Sequence, residues 1–192
     1  MKTSTMLLVA AMAVAADAGI AQSVQVAPAP ARSEPLRPVE TADIASLRAA
    51  AARNEAWAQY DLGKALACGQ GVTRNRAEAA AWFSRAAEQG HAQAQSVLGW
   101  MYMTGSGVRR DDALALKWLR SAAEQGNTSA QNNLGIVHAQ GRGVPVDSAE
   151  AEKWFRKAAE QGAADAARNL DVLLKGKVRT VRPSAEPPLY SS

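Results

Sequence analysis

The 192-residue chain is poor in the residue types on which catalysis and metal binding usually rest: it has one cysteine, Cys68, and two histidines, His91 and His138. A single cysteine excludes an intramolecular disulfide even in an oxidising compartment. As a small apolar side chain it is expected in the interior, and only if exposed would it join two copies. Two histidines leave any metal site to be completed by carboxylates, for which no ligand spacing is recognisable, so no metal and no cofactor are expected. His91 falls at a turn entering a helix and is expected in solvent; His138 is expected to be partly buried. No Ser-x-x-Lys occurs anywhere, which removes the usual nucleophile of penicillin-recognising enzymes.

Aromatic residues make up only 5% of the chain, and runs of Val, Ile and Thr are missing, which leaves no material for strands. Long apolar runs are also missing, except Met6 to Ala16, and that run is shorter than the roughly 18 to 20 residues needed to span a bilayer. With Lys2 ahead of it and small residues behind, it reads as a secretory signal over 1–21, cut after Ala18 or Ala21. The expected location is therefore periplasmic or secreted. No cysteine follows the run, so a lipid anchor is not expected. Charge of one sign is lacking too. The formal +4 belongs mostly to the segment after Leu174, and residues 41–174 carry 15 basic and 14 acidic side chains. A nearly neutral body argues against nucleic acid, which demands a basic stripe.

What the chain does have is alanine and repetition. Ala86-Ala87-Glu88-Gln89-Gly90 returns at Ala122 to Gly126 and at Ala158 to Gly162, each time 36 residues later. A fixed period of this size marks a solenoid whose units bury their apolar faces only against neighbours. Alanine is the strongest helix former, so the expected fold is all-α: a right-handed α-solenoid of helix-turn-helix repeats, with three full repeats and a capping helix at each end. The full units are Arg53 to Gly90, His91 to Gly126 and Asn127 to Gly162. The solenoid spans 41–174, between a Pro/Ala-rich disordered linker at 22–40 and a basic, then Pro-rich, disordered tail at 175–192. An anionic surface would be the natural attractant for that tail.

Each unit opens with a helix carrying Leu-Gly near its middle, at Leu62-Gly63, Leu98-Gly99 and Leu134-Gly135. On that helix Ala94, Leu98, Met101 and Tyr102 share one face, and the glycine allows another helix to cross closely. A Gly-x-Gly-Val turn follows, and then a second helix starting at Asn75, Asp111 or Asp147; Glu78 and Glu150 complete capping boxes. Trp82, Trp118 and Trp154 recur in register and are expected to be the core staples between units, so that Trp118→Ala would cost about 3 to 5 kcal/mol. Glu88, Glu124 and Glu160 also recur, as expected structural contacts near the turns.

A unit of this pattern, best shown by Ala94, Leu98, Gly99, Tyr102, Gly105, Gly107, Val108, Asp111, Ala115, Trp118 and Ala122 to Gly126, resembles the SEL-one-like repeat, a relative of the tetratricopeptide repeat. The resemblance covers 41–174 and implies an adaptor scaffold that binds other proteins. Exported bacterial members include regulators of membrane sensor proteins and factors that touch envelope or host components. A cysteine-rich branch is linked to penicillin binding and β-lactamase activity, so a cell-wall-directed or β-lactam-binding enzyme is the alternative. Cys68 alone cannot build that branch's disulfide in every repeat.

The resemblance also implies that the face opposite Ala94, Leu98, Met101 and Tyr102 lines a concave surface. The informative residues there are large ones that do not recur. Trp57 has Gln93 and Ser129 as counterparts, and Trp100 has Lys64 and Ile136. With Tyr60, Ser96, Asn132 and Arg168, these define an expected partner-binding face on which Trp57 and Trp100 are exposed anchors about 14 Å apart, a span suited to an extended peptide. The expected partner is another protein, an extended segment or an envelope sensor, and the chain itself is expected to be a monomer.

Overall fold

The computed structural model describes residues 44–176. The signal expected at 1–21, the linker at 22–40 and nearly all of the tail lie outside the described residues. Among the described residues eight helices follow one another: α1 (Ile44–Ala52), α2 (Ala56–Cys68), α3 (Arg76–Glu88), α4 (Ala92–Thr104), α5 (Asp112–Glu124), α6 (Thr128–Gln140), α7 (Ser148–Glu160) and α8 (Ala164–Leu174). The pairs α2/α3, α4/α5 and α6/α7 are the three units, with α1 and α8 as the single helices at either end. Each helix packs on the next in sequence, and α4 also meets α6, as α6 meets α8. Among the described residues there is no strand, and no helix is long and apolar enough to cross a membrane.

The helix ends follow from the residues placed there. The side chain of Asn75 accepts from the Glu78 amide, Asp111 from the Ala113 and Leu114 amides, and Asp147 from the Glu150 amide, all at 2.9 to 3.1 Å. Each satisfies donors that the first turn leaves without a partner. In the first unit the box glutamate is met by the Asn75 side-chain amide at 3.3 Å. At the other end, Gly69, Gly105 and Gly141 close α2, α4 and α6 in the left-handed region, with φ of 78°, 76° and 67°. The second glycine of each turn has a separate duty. A Cβ on Gly107 would stand 2.5 Å from the Arg76 carbonyl oxygen, so the turn of the second unit lies against the start of α3 in the first. Backbone approach of that kind admits only glycine.

The helix crossing anticipated at the Leu-Gly pair is present, but the residue that fills it is not tryptophan. A Cβ at Gly63, Gly99 or Gly135 would fall 2.8, 2.7 or 2.6 Å from Phe83, Leu119 or Phe155, respectively. These three side chains are wholly buried. The expected staples sit one residue earlier, about 100° around the helix. Trp82 and Trp118 are only half-buried at the margin of the core, whereas Trp154 is buried within it. Cations lie over all three rings: Arg85 at 4.4 Å from Trp82, Lys117 at 4.7 Å from Trp118, and Lys157 at 5.2 Å from Trp154. An indole with a charged lid closes the edge of the core, whereas the shorter ring or isobutyl group fits beneath the glycine.

The recurrent glutamates are exposed, and of the polar contacts expected of them Glu88 accepts one from Ser84 Oγ at 3.0 Å within α3, whereas the contacts between helices near the turns belong to the glutamines that follow them. Gln89, Gln125 and Gln161 each donate to the side-chain oxygen of Gln59, Gln95 and Gln131 at 2.7 Å. The latter two then donate to the Ala87 and Ala123 carbonyls of the preceding unit, at 3.0 and 3.1 Å. Gln95 thus joins the ends of α5 and α3 through α4. Because Gln59, Gln95 and Gln131 are buried, each bond also prevents the cost of an unsatisfied buried amide.

Candidate functional site

The expected partner-binding face divides into a buried part and an exposed part. Trp100 is 7% exposed and belongs to the main core cluster, so it is not a surface anchor. Ile136, Asn132 and Ser96 are buried as well. The reason lies in the environment of the first-type helices. Reading one helix as having a core face and an opposite open face holds when it packs on one side only. Here α4 meets α3, α5 and α6, and α6 meets α4, α5, α7 and α8. Residues 130–139 of α6 are consequently buried without interruption. Asn132 accepts a hydrogen bond from the Asn169 side chain of α8 at 2.9 Å, which ties the C-terminal cap to the third unit.

Trp57, Tyr60, Lys64, Gln93 and Arg168 remain at or near the surface. Trp57 is 55% exposed on the first turn of α2, and Gln93, its counterpart one unit on, is exposed on the first turn of α4. Ser129 and Asp165 continue the row on α6 and α8, half-buried. Tyr60 is half-buried, stacked on the His91 ring with centroids 4.7 Å apart and tilted against Phe83 at 5.8 Å. Lys64 pairs with Asp61 at 3.7 Å on the same helix. Arg168 is exposed and pairs with Asp165. The surviving surface therefore starts at an aromatic on α2, passes through small polar groups, and ends in an ion pair on α8.

His91 bears on this surface, and the sequence placed it differently. It is half-buried rather than solvated: its Nδ1 accepts from the Ala94 amide at 3.2 Å and caps α4. Burial lowers its pKa, against the opposing pull of the Asp61 carboxylate and a backbone hydrogen bond. The neutral ring is the form that can accept at Nδ1. His138 is buried in α6 and its pKa is likewise lowered by burial, with Glu150 and Asp147 opposing. Cys68 is half-buried at the end of α2. Among the described residues no three His, Cys, Asp or Glu side chains gather so as to hold a metal ion.

A family model described as Sel1 repeat matches residues 58–91, 92–127 and 128–162. A Sel1 repeat protein from Oxalobacter formigenes is similar in structure, with a TM-score of 0.66 and 34% identity over 69% of this chain and 53% of its own. A protective antigen of uropathogenic Escherichia coli strains, displaying an SLR fold, has a TM-score of 0.65 and 43% identity over 70% of this chain and 29% of its own. This chain therefore spans about half of the first and less than a third of the second. Helicobacter pylori cysteine rich protein B shares the fold, with a TM-score of 0.50 at 23% identity over 66% of this chain and 96% of its own. No curated protein sequence matches.

Proposed function

Since the chain belongs to the Sel1 repeat family, we propose that it is a non-catalytic interaction scaffold of the cell envelope or its exterior, binding an extended segment of a partner protein. The contact begins at Trp57 and runs along the first turns of α2, α4, α6 and α8. One observation carries this reading: Trp57 is a large aromatic, 55% exposed, at a position where the later units have glutamine, serine and aspartate. Packing does not account for it, and an aromatic that becomes desolvated on binding contributes about 2 kcal/mol or more. Gln93 and Ser129 supply hydrogen-bonding groups at the same register, suited to the backbone of an extended chain. Export rests on the apolar run Met6 to Ala16 and its flanks.

The test is capture of envelope proteins by the intact solenoid, followed by titration of the captured partner against the unsubstituted protein and Trp57→Ala. Loss of 2 kcal/mol corresponds to about thirtyfold weaker binding. Undiminished affinity, with helical content preserved, refutes the placement of the partner at Trp57.

A further inference from the structure

Charge is nearly balanced over the solenoid as a whole but is divided between its two edges. Each second helix ends, and each following first helix begins, at the edge formed by residues 52–57, 88–93, 124–129 and 160–165. There Glu55, Glu88, Glu124, Glu160 and Asp165 stand against one cation, Arg53. The glycine turns at 69–75, 105–111 and 141–147 form the opposite edge, where Arg74, Arg109, Arg110 and Arg142 outnumber Asp111 and Asp147. Trp57, the exposed aromatic, stands on the acidic edge.

The negative charge of that edge is not cancelled from within the fold. Arg53 neutralises only Glu55, at 2.8 Å, and Arg168 of α8 matches Asp165. Glu88, Glu124 and Glu160 are exposed, and among the described residues none of them is in an ion pair. The cations one turn deeper are engaged elsewhere: Arg85 and Lys157 lie over Trp82 and Trp154, and Arg156 is held by Glu152. Arg120, a turn before Glu124, is exposed and makes no ion pair with it. His91, accepting at Nδ1, adds no charge.

Hydrogen-bonding capacity along the edge is one-sided as well. The Gln125 amide gives its hydrogens to Gln95 Oε1 at 2.7 Å and to the Ser121 carbonyl at 3.2 Å. Gln161 does the same with Gln131 and the Lys157 carbonyl, at 2.7 and 3.2 Å. Gln89 donates to Gln59 at 2.7 Å and, with longer bonds, to Asn54 and the Arg85 carbonyl. The donors are thus directed inward, and each exposed glutamine has only its amide oxygen left for a ligand. At every unit a carboxylate and an amide acceptor stand side by side in the sequence.

We propose that the extended segment bound along this edge is basic, with Lys or Arg side chains laid against Glu88, Glu124 and Glu160 and one cation over the Trp57 ring. This inference rests on the reading that a partner contacts Trp57, and it adds the partner's chemistry. A cation matches both parts of the edge: carboxylates and amide oxygens accept from ammonium or guanidinium groups, and the indole face attracts positive charge. An acidic segment would meet the three carboxylates with nothing on the edge to offset the repulsion. It would fit only the opposite edge, which has no exposed aromatic among the described residues.

The test uses three fluorescein-labelled twelve-residue peptides, identical except for four guest positions that carry Arg, Gln or Glu, titrated against the full chain. The Arg peptide is expected to bind at least tenfold more tightly than the Glu peptide, with an advantage that shrinks as salt is raised. The Glu88→Gln, Glu124→Gln, Glu160→Gln variant changes only exposed side chains and should weaken the Arg peptide about tenfold while leaving the Gln peptide unchanged. Trp57→Ala should weaken all three peptides. Equal binding of the Arg and Glu peptides, no binding of the Arg peptide, or indifference of the Arg peptide to the triple variant overturns the basic partner. If Trp57→Ala still weakens the peptides in that event, the contact at Trp57 stands. Indifference of every peptide to Trp57→Ala overturns that contact and the basic partner with it.

Discussion

Substitution of Gly99 by alanine sets two effects of known sign against each other. Gly99 lies within α4, where alanine is favoured over glycine by about 1 kcal/mol. The new Cβ would sit 2.7 Å from Leu119 Cγ, 2.9 Å from its Cδ2 and 3.0 Å from its backbone nitrogen. Leu119 is wholly buried, so the overpacking costs about 1 to 3 kcal/mol. Gly99→Ala should therefore destabilise by about 1 kcal/mol net. Leu119→Ala alone removes the side chain beneath the glycine and should cost about 3 to 5 kcal/mol. In that background the clash with Cγ and Cδ2 is gone and the 3.0 Å approach to the amide remains, which a small shift relieves. There Gly99→Ala should stabilise, by about 1 kcal/mol from helix propensity and cavity filling together. The sign reversal amounts to a coupling of about 2 kcal/mol in a double-mutant cycle measured by urea titration. If Gly99→Ala has the same effect in both backgrounds, the glycine is not there for the crossing of α5, and the account of the core is wrong.

Trp100→Ala is expected to cost about 3 to 5 kcal/mol because the ring is buried, and Trp118→Ala only about 1 to 2 because its ring is half in water; denaturant titration showing the reverse order would restore the indoles as staples. Gln95→Ala should cost about 1 to 3 kcal/mol, since the Ala87 carbonyl and the Gln125 amide lose a partner at once, and amide exchange should quicken at the ends of both α3 and α5; a loss confined to α4 argues against the relay. Stability should fall with acid below pH 6.5. Burial holds His91 and His138 below that ordinary value, so the unfolded chain takes up protons first; their contribution is complete above 6.5 and is lost as pH falls through the lowered folded-state values. His91→Asn keeps the cap, as Asn127 shows by accepting from the Ala130 amide at 2.9 Å, and should flatten this dependence in thermal melts; an unaltered slope would remove His91 from the account.

Period, helix ends and turn chemistry are properties of neighbouring residues, and the sequence alone determined them. The 36-residue recurrence gave the number of units. Asn75, Asp111 and Asp147 cap the helices expected to start there, and Gly69, Gly105 and Gly141 end the preceding ones. Recurrence identifies which residues are equivalent but not which of them water reaches. Trp100 and Ile136 break the repeat just as Trp57 does, yet they fill the interior while Trp57 stands out, because positions 57, 93, 129 and 165 lie on the outer first turns, where Gln93 is exposed even on α4, whereas Trp100 and Ile136 lie deeper on helices packed on several sides. Trp118 and Leu119 both lie on an apolar stretch of α5, and the closest helix crossing, at Gly99, selected the smaller one for the centre. The glutamine relay left a trace in the sequence, at Gln59, Gln95 and Gln131 and again at Gln89, Gln125 and Gln161. Its meaning depended on bonds between residues 30 positions apart. Burial is decided by the distance between units, a non-local quantity set by the glycines and the side chains packed against them, and only the assembled stack supplies it.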